Sequence, residues 1–204
     1  MSKIIQKREN AETRRKEIID AARKLIIRYG IEKLTLKRVA IELGISEAAI
    51  YRHFKNKRDV LFLLVDHIEE NLMGDVERGR ANIDNHNNLE IIENIFKSHM
   101  SGTEQRKGIS YLVIAEIISL GDKKLNERVT NILNKYMGCI KDVILEGIKC
   151  GEIRENLDLE TAVMVYFGMI QGLISVWALS DHSFRLDQKY IPMWDFFREA
   201  IIKR

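Results

Sequence analysis

The chain has 204 residues, 46% of them hydrophobic and 31% charged, a balance that buries a core and wets a surface and so excludes disorder and fibrous repeats. With one proline, Pro192, and twelve glycines, little interrupts long helices, whereas an all-β chain of this size needs many Pro/Gly turns, so the expected fold is all-α. The net charge of +3 hides a division: residues 1–58 carry 16 Lys/Arg against 7 Asp/Glu, a net of +9, and residues 59–204 carry 17 against 23, a net of −6. A compact basic segment attracts polyanions such as nucleic acid or an anionic membrane surface, and an acidic remainder avoids them. Two domains are therefore expected, 1–58 and 59–204. Cys139 and Cys150 sit eleven residues apart in one predicted helix, roughly 16 Å of rise, and cannot pair within the chain. Without a disulfide framework, and with the charged start MSKIIQKRENAETRRKE in place of an apolar signal segment, a reducing cytoplasm is the expected compartment.

Along the chain, Ile18, Ala22, Leu25, Ile26 and Tyr29 recur at helical spacing before Gly30, which predicts a first helix from about residue 11. Thr35 can cap a second, short helix with the stripe Leu36, Val39, Ala40 and Leu43, ended by Gly44. Ser46 can cap a third from Glu47 to about Phe54. Lys55-Asn56-Lys57 breaks it before a longer fourth helix bearing Leu61, Leu64, Val65, Ile68 and Leu72. Residues 79–88 are rich in turn formers and predict a connection. Helices follow at about 88–100, 105–119, 123–150, 158–179 and 190–203, making about nine in all. The longest carries Leu125, Val129, Ile132, Leu133, Tyr136, Ile140, Val143 and Ile144 on one face, with Gly151 closing it.

Two short helices joined through Gly44-Ile45-Ser46, behind a basic first helix, have the proportions of a helix-turn-helix. Gly44 permits the sharp turn and Ile45 and Ile50 can bury between the helices, which leaves Ala48, Ala49, Arg52 and His53 on the outer face. Small residues at the start of the second helix let it approach a groove closely. Around it, Lys37, Tyr51, His53, Lys55 and Lys57 supply donors for phosphate oxygens, contacts that fix register on a duplex without reading sequence.

Over Ile18 to Leu64, and above all in LTLKRVAIELGISEAAIYRHFKNKRDVL, the sequence resembles the TetR family of transcriptional regulators. The order Thr, basic residue, Ala, Gly, Tyr, His/Phe and Lys-Asn-Lys carries the likeness, and the remainder matches in helix layout. The resemblance implies that Thr35, Lys37, Tyr51, His53 and Lys57 contact phosphates while Glu47, Ala48, Ala49 and Arg52 face base edges. With the cap Ser46 and with Lys55, these make up the candidate DNA-binding set. Glu47 can accept from a cytosine amino group or can simply suit the positive end of a helix dipole. The basic arm, Lys3, Lys7, Arg8, Arg14, Arg15 and Lys16, can reach a minor groove or form a solvated tail.

In the acidic part, Ala162 to Leu179 is eighteen residues without a charge, the lower limit for a membrane span. Gln171 at its centre and flanks of Asp158, Glu160, Asp181 and His182 in place of Lys/Arg speak against a span, so no membrane association is expected. An apolar-all-round helix must be covered on every side, and a second subunit can do that where one small domain cannot. Gly168 and Gly172 form a small-xxx-small pair that lets another backbone come close. The last helix offers Met193, Trp194, Phe197, Ile201 and Ile202. The resemblance implies that these two helices form a four-helix homodimer interface, with Gly168, Gly172, Val176, Trp194, Phe197 and Ile201 as its candidate residues. Such a dimer presents two recognition helices to a near-palindromic operator with half-sites about 34 Å apart. Repression, and displacement from DNA by an effector, also come from the resemblance.

Phe96, Met100, Tyr111, Met137, Met164 and Phe167 can line an adaptable apolar cavity for a small apolar or amphipathic effector, or can be plain core. Glu116 falls on the stripe Leu112, Val113, Glu116, Leu120, where it can grip a ligand or pair with a neighbouring Arg or Lys. The alternative function is a dimeric DNA-binding protein without an effector, whose acidic domain docks another protein. Enzymatic activity is not expected. The five histidines show no metal-ligand spacing, and no phosphate loop or nucleophile elbow occurs, so neither metal nor cofactor is called for.

Overall fold

The computed structural model of the protein describes residues 2–81 and 87–203, with side chains from Glu12 onward. The described chain runs through nine α-helices: α1 (Ser2–Tyr29), α2 (Leu36–Glu42), α3 (Glu47–Tyr51), α4 (Lys57–Arg80), α5 (Asn88–Gln105), α6 (Ile109–Leu120), α7 (Lys123–Lys149), α8 (Leu159–Leu179) and α9 (Leu186–Ile201). A 3-10 turn, Ile31–Lys33, joins α1 to α2. Among the described residues the one β-type pairing is an isolated antiparallel bridge between Ile153 and Ile202. The fold is all-α, as the composition requires.

Two compact units divide the chain out of sequence order. One comprises the residues through Ile68 together with Leu112–Asn126, and the other Glu69–Tyr111 with Glu127 onward. The charge division after residue 58 falls ten residues before the first stretch of that unit ends, and residues 112–126 rejoin it later in the chain. Helices α4, α6 and α7 each have residues in both units. In the first unit α1 packs on α2 and α2 on α3, burying Ile18, Ala22, Leu25, Ile26, Leu36, Val39, Ala40 and Ile50. The helical spacing of the sequence marks most of these positions.

In the second unit α9 packs against both α5 and α8. Helix α9 begins at Leu186, earlier than predicted, and holds Pro192 inside it. An interior proline costs about 3 kcal/mol. Leu186, Tyr190, Trp194, Phe197 and Ile201 form one buried stripe along α9, and at about 1.5–3 kcal/mol for each large apolar side chain their burial outweighs that cost. Helix α5 runs on to Gln105 because Gly102 and Thr103 are buried on its inner face. The chain then reverses through Lys107 (φ 54°) and Gly108 (φ 64°) into α6.

Helix α8 is long and apolar enough, by length and composition alone, to cross a membrane, and 33% of its most apolar window is buried. Ala162, Val163, Tyr166, Ile170, Leu173, Ile174 and Trp177 face the unit's own core. Met164, Val165, Gly168, Gly172, Val176 and Leu179 form an uncovered stripe on the opposite side.

Candidate nucleic-acid interface

Thr35 and Ser46, both extended, cap α2 and α3 by accepting the Arg38 and Ala49 amides at 3.2 Å. Between them Gly44 sits at φ 64°, a left-handed conformation glycine adopts without a Cβ clash. There the Ile45 amide donates to the Ala40 carbonyl at 3.0 Å, which closes the end of α2 and turns the chain sharply into α3. Ile50 on α3 is buried at 1% exposure against a core that includes Val39 and Ala40. This anchoring turns Glu47, Ala48, Tyr51, Arg52 and His53 to solvent, with Ala49 half-buried beside them. After α3, Asn56 and Asp59 build a reciprocal cap on α4: Asp59 N donates to Asn56 Oδ1 at 3.3 Å, and Lys55 N donates to Asp59 Oδ2 at 2.6 Å. Lys55 is left exposed at the start of that helix.

The exposed set is cationic, aromatic and small, and suits a polyanion. Lys37, at the exposed start of α2, approaches Glu47 Oε1 at 3.3 Å. Both side chains are about half exposed, so the pair is weak and leaves Lys37 available to phosphate. Glu47 occupies the first helical position of α3, where its charge meets the helix dipole. Arg14 joins Arg52 and His53 in lining a recess of about 150 Å³ floored by Ile18, Ile45 and Ile50. The arm thus contributes one cation beside α3. Arg15 instead reaches Asp66 at 3.5 Å, and the side chains of Lys3, Lys7 and Arg8 lie outside the described residues.

Lys57 and Glu116, named from sequence as a phosphate contact and a possible ligand contact, are engaged with each other. Lys57 is not on the open face: its Nζ donates to the Ile31 carbonyl at 3.0 Å and to Glu116 Oε1 at 2.5 Å. Glu116, one of the candidate ligand residues, is thus paired with Lys57. Beside it Arg58 holds Asp122 with Nε at 2.5 Å from Oδ2 and Nη2 at 3.0 Å from Oδ1. The Arg58 guanidinium and the Leu125 amide, which donates to the same carboxylate, keep Asp122 below the usual carboxylate range. The first turn of α4 is thereby clamped to the α6–α7 corner inside the first unit.

In the second unit the candidate pocket residues separate. Phe96 is fully buried, its ring 5.4 Å from Tyr166 and 5.6 Å from Tyr190, and Met100 is fully buried as well. Phe167 lies 6.4 Å from Tyr136. Tyr111 and Met137 are half-buried. Met164 is 60% exposed on the bare stripe of α8 and lines no interior space. Trp194, Phe197 and Ile201, expected at a dimer interface, are buried at 1–2% in the chain's own core. The exposed apolar positions on α9 are Ile191 and Phe196.

Sequence reasoning missed the polar groups of this core. His99 Nδ1 lies 3.1 Å from Tyr136 Oη, and Tyr166 Oη donates to the Ile92 carbonyl at 3.3 Å. Burial holds His99 neutral, its pKa lowered to about 3, and raises both tyrosines. Asp75 is fully buried and is met by Arg106 Nη2 at 2.7 Å and by Arg78. A Cβ on Gly102 would lie 2.6–2.7 Å from Arg106 and Asp75, so a side chain there would have to displace the ends of that pair. Burial pushes the Asp75 carboxyl up while the two guanidiniums pull it back. The signal was available: His99 interrupts the stripe Ile92, Ile95, Phe96, Met100, and Asp75 interrupts Ile68, Leu72, Val76.

With that geometry in place, comparison with known proteins places the chain. Residues 18–64 match the family model described as bacterial regulatory proteins, tetR family, and residues 58–198 match the YsiA-like protein, C-terminal region. The chain is 27% identical over 171 residues to the fatty acid metabolism regulator protein of Bacillus subtilis, covering 83% of this chain and 86% of that one. It is 24% identical over 186 residues to the nucleoid occlusion factor SlmA of Vibrio campbellii, covering 89% and 92%. Among solved structures, the transcriptional regulator FadR of B. subtilis in complex with stearoyl-CoA superposes with a TM-score of 0.73 at 25% identity, covering 89% of this chain and 96% of that one. Two family models that together span residues 18–198, and a helix-turn-helix whose caps and turn are formed as described, make this chain a DNA-binding transcriptional regulator of the TetR family.

Proposed function

We propose that the protein is a cytoplasmic homodimeric repressor that binds a near-palindromic operator and is released from it by a long-chain fatty acyl thioester. The observation that carries the effector class is the likeness, over nearly the full length of both chains, to a regulator solved with stearoyl-CoA. An apolar, aromatic core in the second unit suits an acyl chain. The uncovered α8 stripe supports the dimer. Nothing lies within 4 Å of where a Cβ would stand on Gly168 or Gly172, so a second backbone can approach there, and Val176, Leu179 and Phe196 would be buried with it. The reading includes no catalysis: the protein binds, changes shape and lets go.

Release requires the ligand to favour the conformation in which the two recognition helices no longer match the half-site spacing. The experiment is a titration of stearoyl-CoA against protein bound to the operator upstream of its own gene, paired with thermal melting. A raised Tm together with loss of operator binding is expected. A raised Tm with operator affinity unchanged rejects release. No shift with any acyl thioester favours the reading in which the second unit docks another protein, the direction in which the likeness to a nucleoid occlusion factor points.

A further inference from the structure

Helix α5 borders two grooves of opposite character. Near its start, Glu90, Glu93 and Asp195 set three carboxylates against Arg198, an arrangement that repels anions. Farther along, a groove of about 290 Å³ is lined by Arg78 of α4 and by Asn94, Lys97, Ser98, Ser101 and Gln105 of α5. No carboxylate lines it, in a part of the chain whose net charge is −6. Its volume is about ten water molecules' share of liquid, more than one tetrahedral anion needs.

The charge beneath the groove is unbalanced by construction. Asp75, fully buried, accepts from both Arg78 and Arg106, so one carboxylate answers two guanidiniums. Arg106 is 16% exposed and Arg78 60% exposed, which puts the surplus positive charge at the open end. Among the described residues Lys97 is exposed and makes no ion pair. Ser98 and Ser101, both half-buried, line the groove with it, Ser101 four residues after Lys97 and three after Ser98 along α5. An ammonium, a guanidinium that shares one buried carboxylate with a second guanidinium, and neutral hydroxyl and amide donors suit a phosphoryl group.

We infer that this groove binds a phosphoryl group of the effector, with Arg78 and Lys97 supplying charge and Ser98 and Ser101 supplying neutral donors. The assignment rests on the acyl-thioester reading for the identity of the whole ligand, and the groove itself can be tested without it. Binding of three probes, free coenzyme A, stearate and inorganic phosphate, is measured by calorimetry on wild type, on Lys97→Ala and Arg78→Lys, and on Lys189→Ala as an exposed lysine of α9 outside the groove.

Coenzyme A binding is expected to weaken about tenfold in Lys97→Ala, the loss of one charge-assisted contact. It is expected to weaken in Arg78→Lys, which keeps the charge but loses the fork, and to be unchanged in Lys189→Ala. Stearate binding is expected to be the same in all four proteins. Competition by inorganic phosphate identifies free phosphate as a second occupant of the same groove, and lack of competition restricts the groove to phosphate esters. Absence of coenzyme A binding, equal binding in wild type and Lys97→Ala, or equal weakening in Lys189→Ala overturns the inference. Failure of stearoyl-CoA to release operator, with coenzyme A binding still dependent on Lys97, rejects the effector reading and leaves the groove standing.

Discussion

Helices α3 and α8 each leave a face bare, and the two faces are opposites. On α3, one buried isoleucine anchors a five-residue helix whose other side chains, Glu47, Ala48, Ala49 and Tyr51, are acidic, small or aromatic, with the exposed Arg52 and His53 directly after it. On α8, seven buried residues anchor a helix whose bare side is apolar, with Val176 58% and Leu179 86% exposed. A polar bare face is stable as it stands and waits for a polyanion. An apolar bare face of that length is one that water disfavours, and in the proposed dimer a second copy of the chain would relieve the exposure.

The sharpest way to break this comparison is to charge the α8 face. Val176→Asp would place two carboxylates, one from each protomer, into a desolvated contact, at a cost of about 3–5 kcal/mol for an unpaired buried charge. The expected result is a monomer by light scattering with unchanged helix content, and operator affinity down at least a hundredfold. A dimer that survives this change would disprove the assignment of the α8 face. The contrasting variant is Trp194→Ala. This residue is buried in its own protomer, so the change should cost about 3–5 kcal/mol of folding stability by denaturant titration. Any loss of dimer should then follow loss of fold.

That contrast also locates what was legible in the sequence. The apolar composition of 162–179 and the glycine pair identified α8 as a helix needing outside cover. The same reasoning named Trp194, Phe197 and Ile201 of α9, which the chain's own core buries, because they are apolar at helical spacing whichever neighbour they meet. Periodicity reports that a face is buried, and not by what. The helix-turn-helix was legible residue by residue because its signals are local: two caps, one glycine turn and a short stripe. Lys57 and Glu116 were not, since their pairing joins positions 59 residues apart, and the return of 112–126 to the first unit has no local marker. The sequence left ligand contact and structural pair both open for Glu116, and the structure shows the pair.

On the polar face, Arg52→Ala tests direct readout. If its guanidinium meets a guanine, operator affinity should fall by about 1–3 kcal/mol, with relaxed preference at one base-pair position in a competition assay. A uniform loss across all sequences would instead make Arg52 a phosphate contact.

The core of the second unit offers a pH test of similar size. His99 is neutral in the folded chain, with its pKa lowered to about 3, and titrates near 6.5 once unfolded. The stability that this difference contributes is complete above about pH 6.5 and is lost as pH falls toward 3, because only the unfolded chain takes up the proton. Between pH 6.5 and 5 the wild type should lose about 2 kcal/mol more than His99→Gln. Parallel denaturation curves for the two proteins across that range would show that His99 is not buried neutral.

The finest distinction concerns two lysines two positions apart. Lys55 is exposed at the start of α4, whereas Lys57 is held by Glu116 and the Ile31 carbonyl. A lysine on a phosphate adds about one unit to the slope of log affinity against log salt, and one clamped inside its own unit adds none. Lys55→Ala should therefore lower that slope by about one and leave the melting temperature unchanged. Lys57→Ala should keep the slope and lower the melting temperature, since Glu116, with 19% of its side chain exposed, loses its partner. Restoring the balance with Lys57→Ala and Glu116→Gln together should recover part of that loss, as removal of both members of a half-buried pair costs less than removal of one. A reversed pattern, with the salt slope following Lys57, would mean that the clamp opens on DNA and that its charge is spent on phosphate after all.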